Sequence, residues 1–153
     1  PSPPCNGRGQ RRHRPPPACT AALAEAGLGP VTVAAIPESA DILETEIRDA
    51  LEAGARFILV LGGSGFGVGN YAPEVVRSIV EVEIPGIAEQ IRAHGLANTP
   101  LSGLSREVVG VTARDASGAL IISSPGSRGG ALDTLEVVTP LLTAIFHQLD
   151  EQR

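Results

Sequence analysis

From about residue 18 the chain alternates short apolar runs with segments whose apolar positions recur every three to four residues. This alternation predicts strands and helices in turn. Residues 18–26 are good helix formers and meet Gly27, a residue suited to closing a helix. Residues 31–36 (VTVAAI) are rich in β-branched side chains and predict a strand, stopped by Pro37. Ser39 is placed to cap the next helix, with Asp41 in its first turn. Ile42, Leu43, Ile47, Ala50 and Leu51 give that helix one apolar face, and Gly54 closes it. Residues 57–61 (FILVL) are continuously apolar, as in a strand covered on both faces. Pro73 suits the first turn of a helix carrying Val75, Val76, Ile79 and Val80, and Pro85-Gly86 breaks it. A short helix follows over 87–94. Residues 104–111 and 119–123 predict two strands joined by a turn through 114–118. The last helix covers 131–149, with a kink at Pro140.

Alternating strands and helices with short loops predict an α/β fold: three layers, a mostly parallel sheet with helices on both faces. Ligands of such sheets bind outside the carboxyl ends of the strands. Two glycine-rich loops, 62–70 and 125–130, each follow a predicted strand and precede a predicted helix. They are therefore expected to open on the same edge of the sheet.

Residues 1–17 break the pattern. They hold six prolines and four arginines, no acid and no apolar periodicity, which predicts a disordered or atypical tail ahead of a single domain over 18–153. The tail carries +4 and the rest −9, for a net charge of −5. That balance argues against nucleic acid or an anionic membrane as a partner. No apolar run reaches the ~18–20 residues of a transmembrane helix. All twelve basic residues are arginine, so a Walker A loop and Schiff-base chemistry are both excluded for want of lysine. Cys5 and Cys19 do not form a C-x-x-C pair, and three scattered histidines make no His-rich metal site. The expectation is a reduced, cytoplasmic domain.

The chemistry therefore rests on the loops. Five of the eight residues 62–69 are glycine, directly after a buried strand. Without Cβ atoms, backbone N–H groups can converge on an anion, and a helix starting just beyond adds partial positive charge. No G-x-G-x-x-G can be placed in the loop, so it is not the dinucleotide fingerprint. Ser64 offers a hydroxyl, Gly126-Ser127 the same chemistry, and Arg128 either a phosphate contact or a solvated charge. Glu38, at a strand end, can hold a metal ion or start a helix. Glu74 complements a helix dipole, His94 is placed to bond helix-terminal carbonyls, and His147 is solvated.

Several motifs then fall in order: Gly62-Gly63-Ser64-Gly65, Pro73-Glu74, Glu83-Ile84-Pro85-Gly86, Leu104-Ser105-Arg106 and Ser124-Pro125-Gly126-Ser127. Together they resemble the molybdopterin-binding family, which includes the molybdenum-cofactor biosynthesis proteins that adenylylate molybdopterin. The run EIPGIAEQIRAHGLANTPLSGLSREVVGV, residues 83–111, is especially similar, and the resemblance covers roughly residues 18–150. It implies a homotrimer that binds molybdopterin and transfers AMP from Mg-ATP to its terminal phosphate. The alternative it leaves open is a non-catalytic member that holds the pterin or a partner.

By motif position, Gly62, Gly63, Ser64 and Gly65 hold the pterin ligand, and Pro125, Gly126 and Ser127 line the same pocket. Glu38 takes the place of a metal-holding Asp, with Mg2+ as the implied ion, and Asn70 the place of a second Asp. These two are the implied catalytic positions. Asn70 departs from the family pattern in charge and Glu38 in length. Ser64 stands for Thr, Ala72 for a capping Thr and Arg128 for Pro. The family's opening strand and Ser-Asp-Arg loop have no counterpart in residues 1–17.

Overall fold

The computed structural model of the chain describes residues 17–151. The readings made of the tail and of Cys5 lie outside the described residues, except that Pro17 opens the first helix. In chain order the elements are α1 (Pro17–Glu25), α2 (Ala40–Glu52), β1 (Phe57–Leu61), α3 (Ala72–Ile79), β2 (Val82–Glu83), α4 (Pro85–Leu96), β3 (Val108–Val111), β4 (Leu120–Ser124), α5 (Arg128–Val138) and α6 (Leu142–Glu151). Short 3-10 turns at Pro100–Leu104 and Thr139–Leu141 complete it.

The three layers are those expected. Side chains alternate across the sheet with period two. Val108, Ile121, Ile58 and Val60 face α2 and α3, packing on Ile47, Val75 and Val76. Val109, Val111, Leu120 and Ile122 face the other way, onto Ile87, Ala88 and Ile91 of α4 and Val138, Leu142 and Leu149 of α5 and α6. A third cluster seats Cys19 and Leu23 of α1 on Ala131 and Leu135 of α5. Burial pushes the free Cys19 thiol up from its ordinary range.

The sheet corrects the parallel expectation. Its order is β1-β4-β3-β2, and only β1 and β4 run parallel; β3–β4 and β2–β3 are antiparallel. The reason lies in the connection: the turn between β3 and β4 is too short for the dozen or so residues a parallel crossover needs. Asp115 shapes that turn by accepting the Ser117 amide at 2.9 Å. The two-residue β2 is too short to announce itself by periodicity.

Other boundaries also moved. Residues 31–36 form no strand; Val31 and Val33 are exposed at 40% and 54%. β-branched residues favour a strand only where a neighbour exists to pack and pair with. Helix α3 stops at Ile79, ahead of β2, and Pro85 begins α4 instead of breaking the preceding helix. In the predicted 104–111 strand only residues 108–111 pair; Pro100 starts a 3-10 turn capped by Thr99, whose Oγ1 accepts the Leu101 amide at 3.2 Å. Ser39 caps α2 as expected, accepting the Ile42 amide at 3.3 Å. The kink at Pro140 is the 3-10 turn between α5 and α6. Counted as one helical run, Arg128–Glu151 spans 24 residues and is, by length and composition alone, long and apolar enough to cross a membrane, contrary to expectation. Its residues Ala131, Leu135, Val138, Leu142 and Leu149 are buried against the sheet and α1.

Candidate functional site

Because β1 and β4 are parallel neighbours, the loops that leave their carboxyl ends emerge side by side. The Gly62 amide donates to the Ser124 carbonyl at 2.9 Å, extending the ladder one step beyond the strands. The loops then touch through bare backbone. A Cβ on Gly126 would sit 3.0 Å from the Gly62 Cα and 3.1 Å from its nitrogen. Gly62 and Gly63 turn the chain at φ +98° and +67°, in the region L side chains disfavour. The Gly126→Ala variant is accordingly expected to push the loops apart by a few tenths of an ångström. The cost is about 1–3 kcal/mol in urea unfolding, with weakened ligand binding.

Arg106 holds the first loop in shape from the opposite side. Its Nε donates to the Gly65 carbonyl at 2.8 Å and its Nη2 to the Asn70 carbonyl at 3.0 Å, while its backbone amide donates to the Ser64 carbonyl at 2.8 Å. Nη1 pairs with Glu74, and this hydrogen bond holds the Glu74 carboxyl below its usual range. Glu74 thus does more than complement the α3 dipole. Three loop carbonyls are taken up in this way. Among the described residues the amides of Gly63, Ser64 and Gly65 have no hydrogen-bond partner, which leaves them for an anion. Ser64 is buried, whereas Gly126 and Ser127 are exposed across from it. Ser127 caps α5, accepting the Gly130 amide at 3.1 Å, so the α5 N-terminus opens beside the first loop.

Two more of the expected residues meet at the loop's far end. Asn70 Oδ1 accepts the Gly67 amide at 2.9 Å, and the Asn70 amide donates back to the Gly67 carbonyl at 3.1 Å, closing a tight turn. Glu38 is exposed and its carboxylate faces this turn: a Cβ on Gly69 would lie 3.7 Å from Glu38 Oε2. The structure therefore brings Glu38, Asn70 and both glycine loops to one end of the sheet. Arg128 is exposed at the start of α5.

Sequence reasoning missed three features here. Phe66, Val68 and Tyr71 stand exposed on the first loop, at 73%, 104% and 44%. The signal was present, since large apolar side chains are out of place in a glycine loop. Arg106 was quoted in a motif without a role. Behind it, Glu107 is 4% exposed and linked to Thr134, whose hydroxyl donates to Glu107 Oε1 at 2.8 Å and contacts Ser124 Oγ at 2.9 Å. Burial raises the Glu107 carboxyl to about 7, opposed by the Thr134 hydrogen bond and by Arg92, and reinforced by Asp133. His94 and His147 pair with carboxylates, Glu136 at 2.6 Å and Glu151 at 2.9 Å; for His94 the carboxylate replaces the expected helix carbonyls.

A family model described as "Probable molybdopterin binding domain" matches residues 8–144. A molybdopterin biosynthesis protein from Mycobacterium abscessus superposes with a TM-score of 0.79 at 31% identity, covering 87% of this chain and 82% of that one. The molybdopterin biosynthesis Mog protein of Mycobacterium ulcerans gives 0.79 at 31%, covering 87% and 84%. The molybdopterin adenylyltransferase of Haemophilus influenzae is 31% identical over 67% of this chain. This chain spans about half the length of that relative, with 51% covered, and less of some others. The chain belongs to the molybdopterin-binding domain family of molybdenum-cofactor biosynthesis proteins.

Proposed function

We propose that the chain binds molybdopterin between the two glycine loops and transfers AMP from Mg-ATP to its terminal phosphate, working as a cytoplasmic homotrimer. The observation that carries this reading is the set of unpartnered amides at Gly63, Ser64 and Gly65, placed beside the α5 N-terminus. An anion cradle of that kind suits a phosphate, and the exposed faces of Phe66 and Tyr71 at its rim suit a planar heterocycle. Pro125, Gly126 and Ser127 form the opposite wall.

In the reaction an oxygen of the pterin's terminal phosphate attacks the α-phosphorus of ATP. The bond to the β-phosphate breaks and pyrophosphate leaves. Little covalent chemistry falls to the protein; holding the two phosphates in line and offsetting their charge supplies the acceleration. Magnesium arrives with the nucleotide. The residues present fit it: Mg2+ is commonly held by one or two carboxylates together with phosphate oxygens and water, and Glu38 offers one exposed carboxylate beside the loop. Asn70 stands where an Asp would add charge, and its side-chain oxygen holds the loop turn through the Gly67 amide.

The second reading, a non-catalytic pterin-binding member, is favoured by one observation. The Asn70 side-chain oxygen is already committed to the Gly67 amide. Incubation with molybdopterin and Mg-ATP separates the two through release of pyrophosphate and formation of the adenylylated pterin. Product from the chain as it stands is the expected outcome, rising about tenfold in Asn70→Asp as charge is restored. Pterin binding without product in either form would establish the second reading. Light scattering checks the trimer.

A further inference from the structure

The seam between α4 and α5 collects an unusual donor set from residues to which the proposed reaction assigns no role. His94 comes from the last turn of α4, and Asp133 and Glu136 from adjacent turns of α5. One atom from each lies within 4.8 Å of the others. His94 Nε2 is 3.5 Å from Asp133 Oδ1 and 2.6 Å from Glu136 Oε2.

Charge does not balance at this spot. Two carboxylates share one imidazole, so the group keeps net negative charge whichever way the histidine is protonated. Asp133 is only 9% exposed, and its other polar contact is neutral: Asn98 Nδ2 donates to Oδ1 at 3.3 Å. The negative field of Asp133 reaches Glu107, whose Oε2 is buried without a partner and whose carboxyl Asp133 helps push up. A dication would offset this excess.

We infer that His94, Asp133 and Glu136 form a binding site for a zinc-like transition-metal dication that staples α4 to α5. The spacing suits such an ion. Metal–ligand bonds of about 2.0–2.2 Å place neighbouring donor atoms about 3–3.5 Å apart. The His94–Asp133 separation already meets this, and Glu136, largely exposed, needs to withdraw by only about half an ångström. An imidazole with two carboxylates selects zinc, nickel or cobalt over magnesium, which takes oxygen ligands. Asn98 orients the Asp133 carboxylate as an outer partner would. Three protein ligands from two helices leave the remaining positions to water. None of its three ligands is among the residues offered to the magnesium that accompanies the nucleotide.

The test uses the full chain, free of tags and treated with chelator, titrated with zinc chloride and followed by calorimetry and by thermal melting. The expected result is one zinc per chain and a zinc-dependent rise in melting temperature. His94→Ala and Glu136→Gln should each weaken binding about tenfold or more and remove the rise. Both positions are exposed, so both variants should fold; magnesium should give no response at the same concentration. Absence of a zinc response at about 100 μM would overturn the inference and leave an ordinary ion pair. Zinc binding that survives His94→Ala would overturn it equally, by placing the ion elsewhere on the chain.

Discussion

Replacing Arg106 with alanine should weaken molybdopterin binding roughly 10- to 100-fold while leaving the protein folded. The guanidinium joins the two ends of the first glycine loop, through the Gly65 and Asn70 carbonyls, and anchors both to Glu74 on α3. Hydrogen bonds to a charged donor contribute about 1.5–3 kcal/mol each. Removing them lets a loop with five glycines explore many other shapes. Apparent affinity falls with the fraction of molecules holding the competent shape, so loosening the loop acts directly on binding. Stability suffers less, because the side chain is partly exposed and its polar contacts go to loop carbonyls and to Glu74. Lysine should not rescue, since a single ammonium cannot span acceptors on both sides as a planar guanidinium does. Equal losses of affinity and of thermal stability would show that Arg106 supports the fold as a whole rather than the loop.

The second large effect is on stability against pH, through Glu107. Its carboxyl is raised to about 7 in the folded chain from an ordinary value of 4.5, chiefly by burial. A raised acid favours folding when protonated. Its contribution is therefore complete below about pH 4.5 and is lost as pH climbs through 7. At 1.36 kcal/mol per pH unit the loss amounts to about 3 kcal/mol. The Glu107→Gln variant carries a neutral side chain of the same shape at every pH. Urea unfolding from pH 5 to 8 should show the two proteins equally stable at the acid end. The variant should be more stable by about 2–3 kcal/mol at pH 8. The difference between the two curves reads Glu107 together with its coupling to Asp133. Parallel curves would mean that Glu107 ionises freely in the folded protein.

How much of this was legible in the sequence depends on how local the cause was. The apolar run at residues 57–61, the caps at Ser39 and Gly27 and the break at Pro140 act within a few residues, and each stands where the pattern placed it. The meeting of the two glycine loops was also foreseeable, because each follows a strand, and β1 and β4 are the one parallel pair among the described residues. Direction of the remaining strands was not read from periodicity, although the short turn at 114–118 carried the answer. Residues 31–36 misled because β propensity is realised only against a neighbour. Arg106 and Glu107 illustrate the limit best. They are consecutive, yet one reaches forward to latch the loop and the other sits buried against Thr134. Only the packing of α3, α5 and the sheet separates their roles.

The two glycine loops at the ends of β1 and β4 are proposed to make a molybdopterin site. Calorimetric titration of the full chain with molybdopterin, with and without Mg-ATP, tests it most directly. Saturable binding of one pterin per chain is expected, lost or sharply weakened in both Arg106→Ala and Gly126→Ala. A folded protein that takes up no pterin, or one whose binding ignores both substitutions, would contradict it.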